Sequence, residues 1–156
     1  MAYPVTRQVV DCFYDAYTTG NRDKLAAMLH DDVEWLISGP VTVLHFCGRR
    51  HGKAQVLELA TEILPNVLSD MRVTHESVVI DGGQAALLNR MVARRRSDGR
   101  TIAYRFAHFL DFTADNKVIG TLSIIDTFNA AEQILGHSLS LQDDEPQTGN
   151  RNLVAL

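Results

Sequence analysis

Residues 71 to 126, MRVTHESVVIDGGQAALLNRMVARRRSDGRTIAYRFAHFLDFTADNKVIGTLSIID, decide the fold. Apolar residues alternate along MRVTHESVVI, QAALLNRMVARRR, RTIAYRFAHFLDF and KVIGTLSIID, and the breaks DGG, SDG and TADN hold the residues that tolerate hairpin backbone. Four antiparallel strands in a meander follow. Upstream the period changes. VTRQVVDCFYDAYTTGN places Val5, Val9, Cys12, Phe13, Ala16 and Tyr17 on one helical stripe that ends at Gly20. Asn21 can cap a second helix, NRDKLAAMLHDD, and VEWLI (33–37) reads as a first strand stopped by Ser-Gly-Pro. FCGRRHG is a loop or short strand, and KAQVLELATEILPNVL a third helix that Pro65 kinks or ends. After Asp126 a short helix, TFNAAEQIL, stops at Gly136. The expected class is therefore α+β, three N-terminal helices on one face of a strongly curved, mostly antiparallel sheet, together forming a cone.

The chain of 156 residues suits one domain, residues 1–136, with 137–156 as a tail that is flexible or wraps a neighbouring subunit. A net charge of -4 gives no footprint for nucleic acid, and no apolar run is long enough for a membrane span. The first thirty residues lack a signal-peptide layout, so the expected compartment is the cytoplasm. Cys12 and Cys47 cannot build a disulfide framework and read as free thiols. The six histidines show no ligand spacing, so no metal and no cofactor are expected. GRRHG (48–52) lacks the Lys-Ser/Thr ending of a phosphate loop, and Arg94, Arg95, Arg96 and Arg100 read as a solvated hairpin tip.

The order of elements, with YTTGNRDKLAAMLHDDVEW, FCGRRHGKAQV and FAHFLDFTADNKVIGTLSIIDTF, resembles the SnoaL-like branch of the nuclear transport factor two superfamily over residues 5 to 135. The shared marks are Gly20-Asn21, Asp31-Asp32, Phe46 with Gly48 and Gly52, and Asp126. The resemblance implies the cone, but the superfamily holds isomerases, cyclases, hydrolases, dehydratases and binders, so function does not follow. It also places Phe13, Ile37 and Ala107 where ketosteroid-isomerase-like members carry their tyrosine and two aspartates. Ser123 falls where cyclases and limonene epoxide hydrolases carry an aspartate.

Chemistry in such a cone needs a desolvated base and a hydrogen-bond donor opposite it. Tyr14 and Tyr17, three apart on the first helix, are the candidate donors, and Asp126 and His45 the candidate bases, with helix capping as the simpler role for Asp126. Trp35 can floor a pocket or serve as core alone. Register carried over from the resemblance turns Ala103, Arg105, Ala107 and Phe109 inward and His108 outward, with Arg105 on a ligand or paired to Glu34 or Asp126. Two readings result. One is a cofactor-free isomerase or cyclase acting on a small hydrophobic carbonyl compound, with base Asp126 or His45, donor Tyr14 or Tyr17, and Trp35 and Phe109 as walls. The other is a non-catalytic cone that binds a small apolar or anionic ligand, or merely assembles as a dimer, with Arg105 and Trp35 as the contacts. The uncovered sheet face suggests a homodimer.

Overall fold

The computed structural model describes residues 4–139, so the expected tail lies outside the described residues from position 140 onward. Helix α1 (Arg7–Thr18) starts at Thr6, whose side chain accepts from Val9 N–H, and α2 (Arg22–Met28) starts at Asn21, whose side chain accepts from Lys24 N–H. Each cap satisfies a first-turn amide that has no partner in the helix. The second helix is shorter than NRDKLAAMLHDD suggests. Leu29 already pairs with Val118, so tertiary pairing ends the helix and opens strand β1 (Leu29–Ser38). Strand β2 (Gly48–His51) folds back on β1, and Gly52, at φ +82°, turns the chain into α3. A side chain there would be strained, which is why glycine stands at that corner.

Helix α3 begins as Lys53–Glu58, runs through a π-helical turn at Leu59–Ile63, and ends with the turn Leu64–Val67, in which Pro65 is tolerated near the start of a turn. Strands β3 (Leu68–Asp81), β4 (Gln84–Arg95), β5 (Thr101–Phe112) and β6 (Val118–Ile125) form the expected meander, and α4 (Thr127–Leu135) closes the described chain. The six-stranded sheet has the order β2-β1-β6-β5-β4-β3, antiparallel throughout except where β1 runs parallel to β6. The fold is thus the expected α+β cone, with a curved, unclosed sheet.

Its core lies between helices and concave face. Phe13, Leu25, Trp35, Phe46, Leu59 and Leu110 are fully buried there. Cys12, placed on the apolar stripe by spacing, is instead exposed, and Cys47 is buried; both are free thiols.

The end of α4 shows how a charge is used inside this fold. Arg95 is buried rather than solvated as expected of a hairpin tip. It donates to the carbonyls of Gln133 and Ile134 at the C-terminus of α4 and makes a two-pronged pair with Asp98. A cation suits the exposed carbonyls of a helix end. Gly136 follows with φ +81°, and the Arg95 guanidinium fills the space a Cβ would need. Next to it Gln133 accepts from Ala103 N–H and donates to Ala103 O, replacing a neighbouring strand where β6 does not reach along β5.

The hydrogen bonds from Arg95 hold the Asp98 carboxyl well below its ordinary pKa of 3.8. A carboxylate depressed by folding stabilises the native state fully above its unfolded pKa, and that contribution fades as pH falls below it. Urea midpoints of an Asp98→Asn variant, followed from neutral pH downward, are expected to lose less than the wild type below about pH 4. Parallel curves there would mean that the pair does not couple to folding.

Candidate functional site

A cavity of about 40 Å³ lies between α1, α3 and the concave face of the sheet, lined almost wholly by apolar and aromatic side chains. That is room for roughly three waters, so the funnel expected from the sequence is narrow but not closed. Met71 and Met91 form part of its wall, and their unbranched side chains can move aside at low cost.

Strand alternation decides what faces it. On β5 the buried positions are Ile102, Tyr104, Phe106, His108, Leu110 and Phe112. The expected inward set, Ala103, Arg105, Ala107 and Phe109, is therefore the outer set. Arg105 is exposed and paired with Glu76, not with Glu34 or Asp126; Glu34 instead meets His51 and Arg49. Phe109 is 45% exposed. The physical cause is a bulge in β6. Phe112 pairs with Val118, but Asp111 pairs with Gly120, so Ile119 is an extra residue. Continued without it, the ladder would set Ser123 against Ala107; with it, Ser123 faces His108. His108, expected to point outward, is 1% exposed and lines the cavity.

His108 is held from behind by a file of polar side chains. Its Nδ1 is 2.5 Å from Tyr14 Oη, and Asn89 Nδ2 donates to the same Oη at 2.9 Å. Asn89 Oδ1 is 2.7 Å from His75 Nδ1, and His75 Nε2 is 3.6 Å from the exposed Asp11 carboxylate. Phe13 and Trp35 pack against the His108 ring with centroids 6.3 and 6.0 Å away. His108 Nε2 and Trp35 Nε1 are buried with no hydrogen-bond partner among the described residues.

Burial, aided by the neighbouring His75, pushes the His108 pKa down to about 3, so the ring is neutral at ordinary pH. Burial likewise pushes the phenols of Tyr14, Tyr17 and Tyr104 above their ordinary value, keeping them protonated donors. The Cys47 thiol rises to about 11 for the same reason and is not a nucleophile near neutrality.

Of the residues singled out by sequence, Tyr17 and Ser123 line the cavity, and Tyr14 and Trp35 pack on His108 behind it. Four lie elsewhere. Asp126 is exposed and caps α4 by accepting from Asn129 N–H, the simpler of its two expected roles. His45 is exposed, with Nδ1 3.0 Å from Val41 O. Arg105 and Phe109 stand on the outer face. His75 was not singled out by sequence, His108 was expected on the outer face, and Asn89 posed the same inward-or-outward question on its own strand. The alternation of β5 alone allowed either parity for His108, whereas the pairing of Asn89 and His75 across two strands left no local trace. Among the described residues, the cavity wall contains no carboxylate, no group of three or more His, Cys, Asp or Glu could hold a metal ion, and no helix is long and apolar enough to cross a membrane.

The sequence profile of the SnoaL-like domain matches residues 10–120. Among solved structures, the chain is similar to a candidate isomerase from Rhodopseudomonas palustris, at 29% identity and TM-score 0.76, covering 85% of this chain and 100% of that one. An NTF2-like protein from Burkholderia xenovorans matches at 22% identity and TM-score 0.65, covering 80% and 92%. A candidate SnoaL-like polyketide cyclase from Shewanella denitrificans shares the fold at 12% identity and TM-score 0.71, covering 84% and 97%. No curated protein matches the chain.

Proposed function

Because the chain belongs to the SnoaL-like domain family, we propose that its cavity takes a small hydrophobic molecule bearing a polar oxygen and carries out an acid–base isomerisation or cyclisation on it. The observation that carries this reading is the unpartnered Nε2 of His108, a residue of a mostly apolar cavity wall that also holds Ser123, its cross-strand partner. A buried polar atom without a partner costs stability, so its retention suits a site that finds its partner in a ligand. A neutral imidazole in a largely apolar pocket can polarise a carbonyl as charge develops on its oxygen, while the α-carbon proton passes to a water in the cavity, whose described lining holds no carboxylate to take it. The similarity to a candidate isomerase supports the same class of reaction.

A second reading, a non-catalytic binding cone, is favoured by the absence of a carboxylate among the described cavity residues. Hydrogen–deuterium exchange at the α-carbon of a panel of small cyclic ketones and enones separates the two. Exchange accelerated by the protein, and retained by Asp126→Asn, supports the enzyme. Ligand-induced stabilisation with no exchange leaves the binder.

The outer face of the sheet exposes Val79, Phe109 and Ile124, at 62%, 45% and 49%. Ala86 stands between Val79 and Phe109 in the ladder, so the apolar positions run across adjacent strands. We propose that a second copy of the chain covers this face. Sedimentation of Phe109→Glu is expected to give monomer where the wild type gives dimer; a monomeric wild type at micromolar concentration would end the idea.

A further inference from the structure

The file behind His108 has a direction, and Asn89 sets it. An amide nitrogen only donates and an amide oxygen only accepts. Asn89 Oδ1 therefore accepts from His75 Nδ1–H, and Asn89 Nδ2 donates to Tyr14 Oη. Tyr14 has a single hydrogen, and His108 Nδ1 is the remaining partner in reach among its described hydrogen bonds. If Nδ1 carried a hydrogen, Tyr14 would accept twice and its own O–H would be buried without an acceptor, at a cost of about 1–3 kcal/mol. Tyr14 therefore donates to Nδ1. A neutral imidazole with an accepting Nδ1 carries its hydrogen on Nε2, the nitrogen left without a partner. From His75 Nδ1 through Asn89 and Tyr14 to His108 the donors thus point the same way, an alignment in which each bond strengthens the next; the Asp11 carboxylate, 3.6 Å from His75 Nε2, stands outside this run of hydrogen bonds.

We propose that Tyr14 and Asn89 are positioning residues that lock His108 in its Nε2–H tautomer, so the cavity selects molecules that present a hydrogen-bond acceptor, a ketone, enolate or carboxylate oxygen. This rests on the reading of the cavity as a ligand site. The depressed His108 pKa agrees with it, since a ring protonated at both nitrogens would have no tautomer to lock. Reversing the Asn89 amide would turn every donor around and leave Nε2 a bare acceptor, a site for donors instead.

The experiment is nitrogen-15 NMR of the ligand-free full chain with labelled histidine, which reads the tautomer directly. The expected result is a protonated Nε2 and a pyridine-type Nδ1 for His108. The opposite tautomer, or an even mixture, overturns the lock. Tyr14→Phe keeps the ring and removes the donor, so the Nε2–H share should fall; an unchanged tautomer in that variant would show that Tyr14 does not set it. Titration with cyclopentanone and with methylcyclopentane, a probe of similar shape without an acceptor, should shift the His108 Nε2 resonance only for the ketone, which should bind about tenfold tighter. Equal affinity overturns the acceptor preference. Binding of neither probe, with the tautomer as expected, would refute the ligand reading and leave the lock standing.

Discussion

His108→Leu is expected to abolish accelerated exchange on the ketones that the wild type processes, a loss on the order of a hundredfold or more, as for removal of one donor from an oxyanion site. Leucine keeps much of the ring's volume among Phe13, Trp35 and Phe106 but offers the cavity no polar atom. It also leaves the Tyr14 hydroxyl short of a partner, so the variant should be less stable near neutrality by about 1–3 kcal/mol. Acid reverses this ranking. A histidine whose pKa falls from 6.5 to about 3 on folding is protonated more readily in the unfolded chain. Wild-type stability is then full above the unfolded value and drains away as pH falls from there toward the folded one. The leucine variant lacks that liability, so its urea midpoint should fall less steeply over the same span. Activity equal to wild type would remove His108 from the mechanism, and identical acid slopes would show that its burial does not couple to folding.

Phe13→Ala should cost about 3–5 kcal/mol by denaturant titration. The ring is fully buried and lies within 5.4 to 6.3 Å, centroid to centroid, of Tyr14, Tyr17, Trp35 and His108. Removing it leaves a void beneath the site that those neighbours cannot fill without leaving their rotamers. Collapse of Trp35 into that space should also perturb His108, so tryptophan fluorescence should change in the native baseline. A loss below about 1 kcal/mol would mean that the aromatic cluster repacks freely, and with it that the site is not held rigid.

The fold was legible because its signals are local. Asn21 and Asp126 cap where their side chains are expected to, and the Asp-Gly and Thr-Ala-Asp-Asn breaks mark the hairpins. The site was legible only in part, and one residue explains why. Period-two alternation in TIAYRFAHFLDF is apolar on both faces, since a strand of this sheet meets helices on one side and exposes Phe109 on the other. Composition therefore could not choose between the parities, and the extra residue Ile119 in β6 sets Ser123 against His108 where an unbroken ladder would set it against Ala107. That single insertion exchanged Arg105, Ala107 and Phe109 for Tyr104, Phe106 and His108. Tyr17 and Ser123 do line the cavity, and Tyr14 meets His108 behind it, positions that the stripe of the first helix and the carried-over alignment of the last strand had indicated. The partnership of His75 with Asn89 depends on strands paired across a hairpin, with an irregular step between His75 and Ser77, and no spacing rule reveals it.

The lone parallel seam, β1 against β6, has a consequence for how the molecule is made. The strand nearest the N-terminus has β2 as its other neighbour, and its main partner is the last strand of the sheet. As the chain leaves the ribosome, residues 29–38 must wait for residues 118–125, so the nascent chain carries Trp35 and Ile37 without their final cover until β6 has emerged. Assembly is therefore late and cooperative, and a truncation that stops short of β6 should leave a sticky, protease-sensitive intermediate rather than a smaller version of the fold.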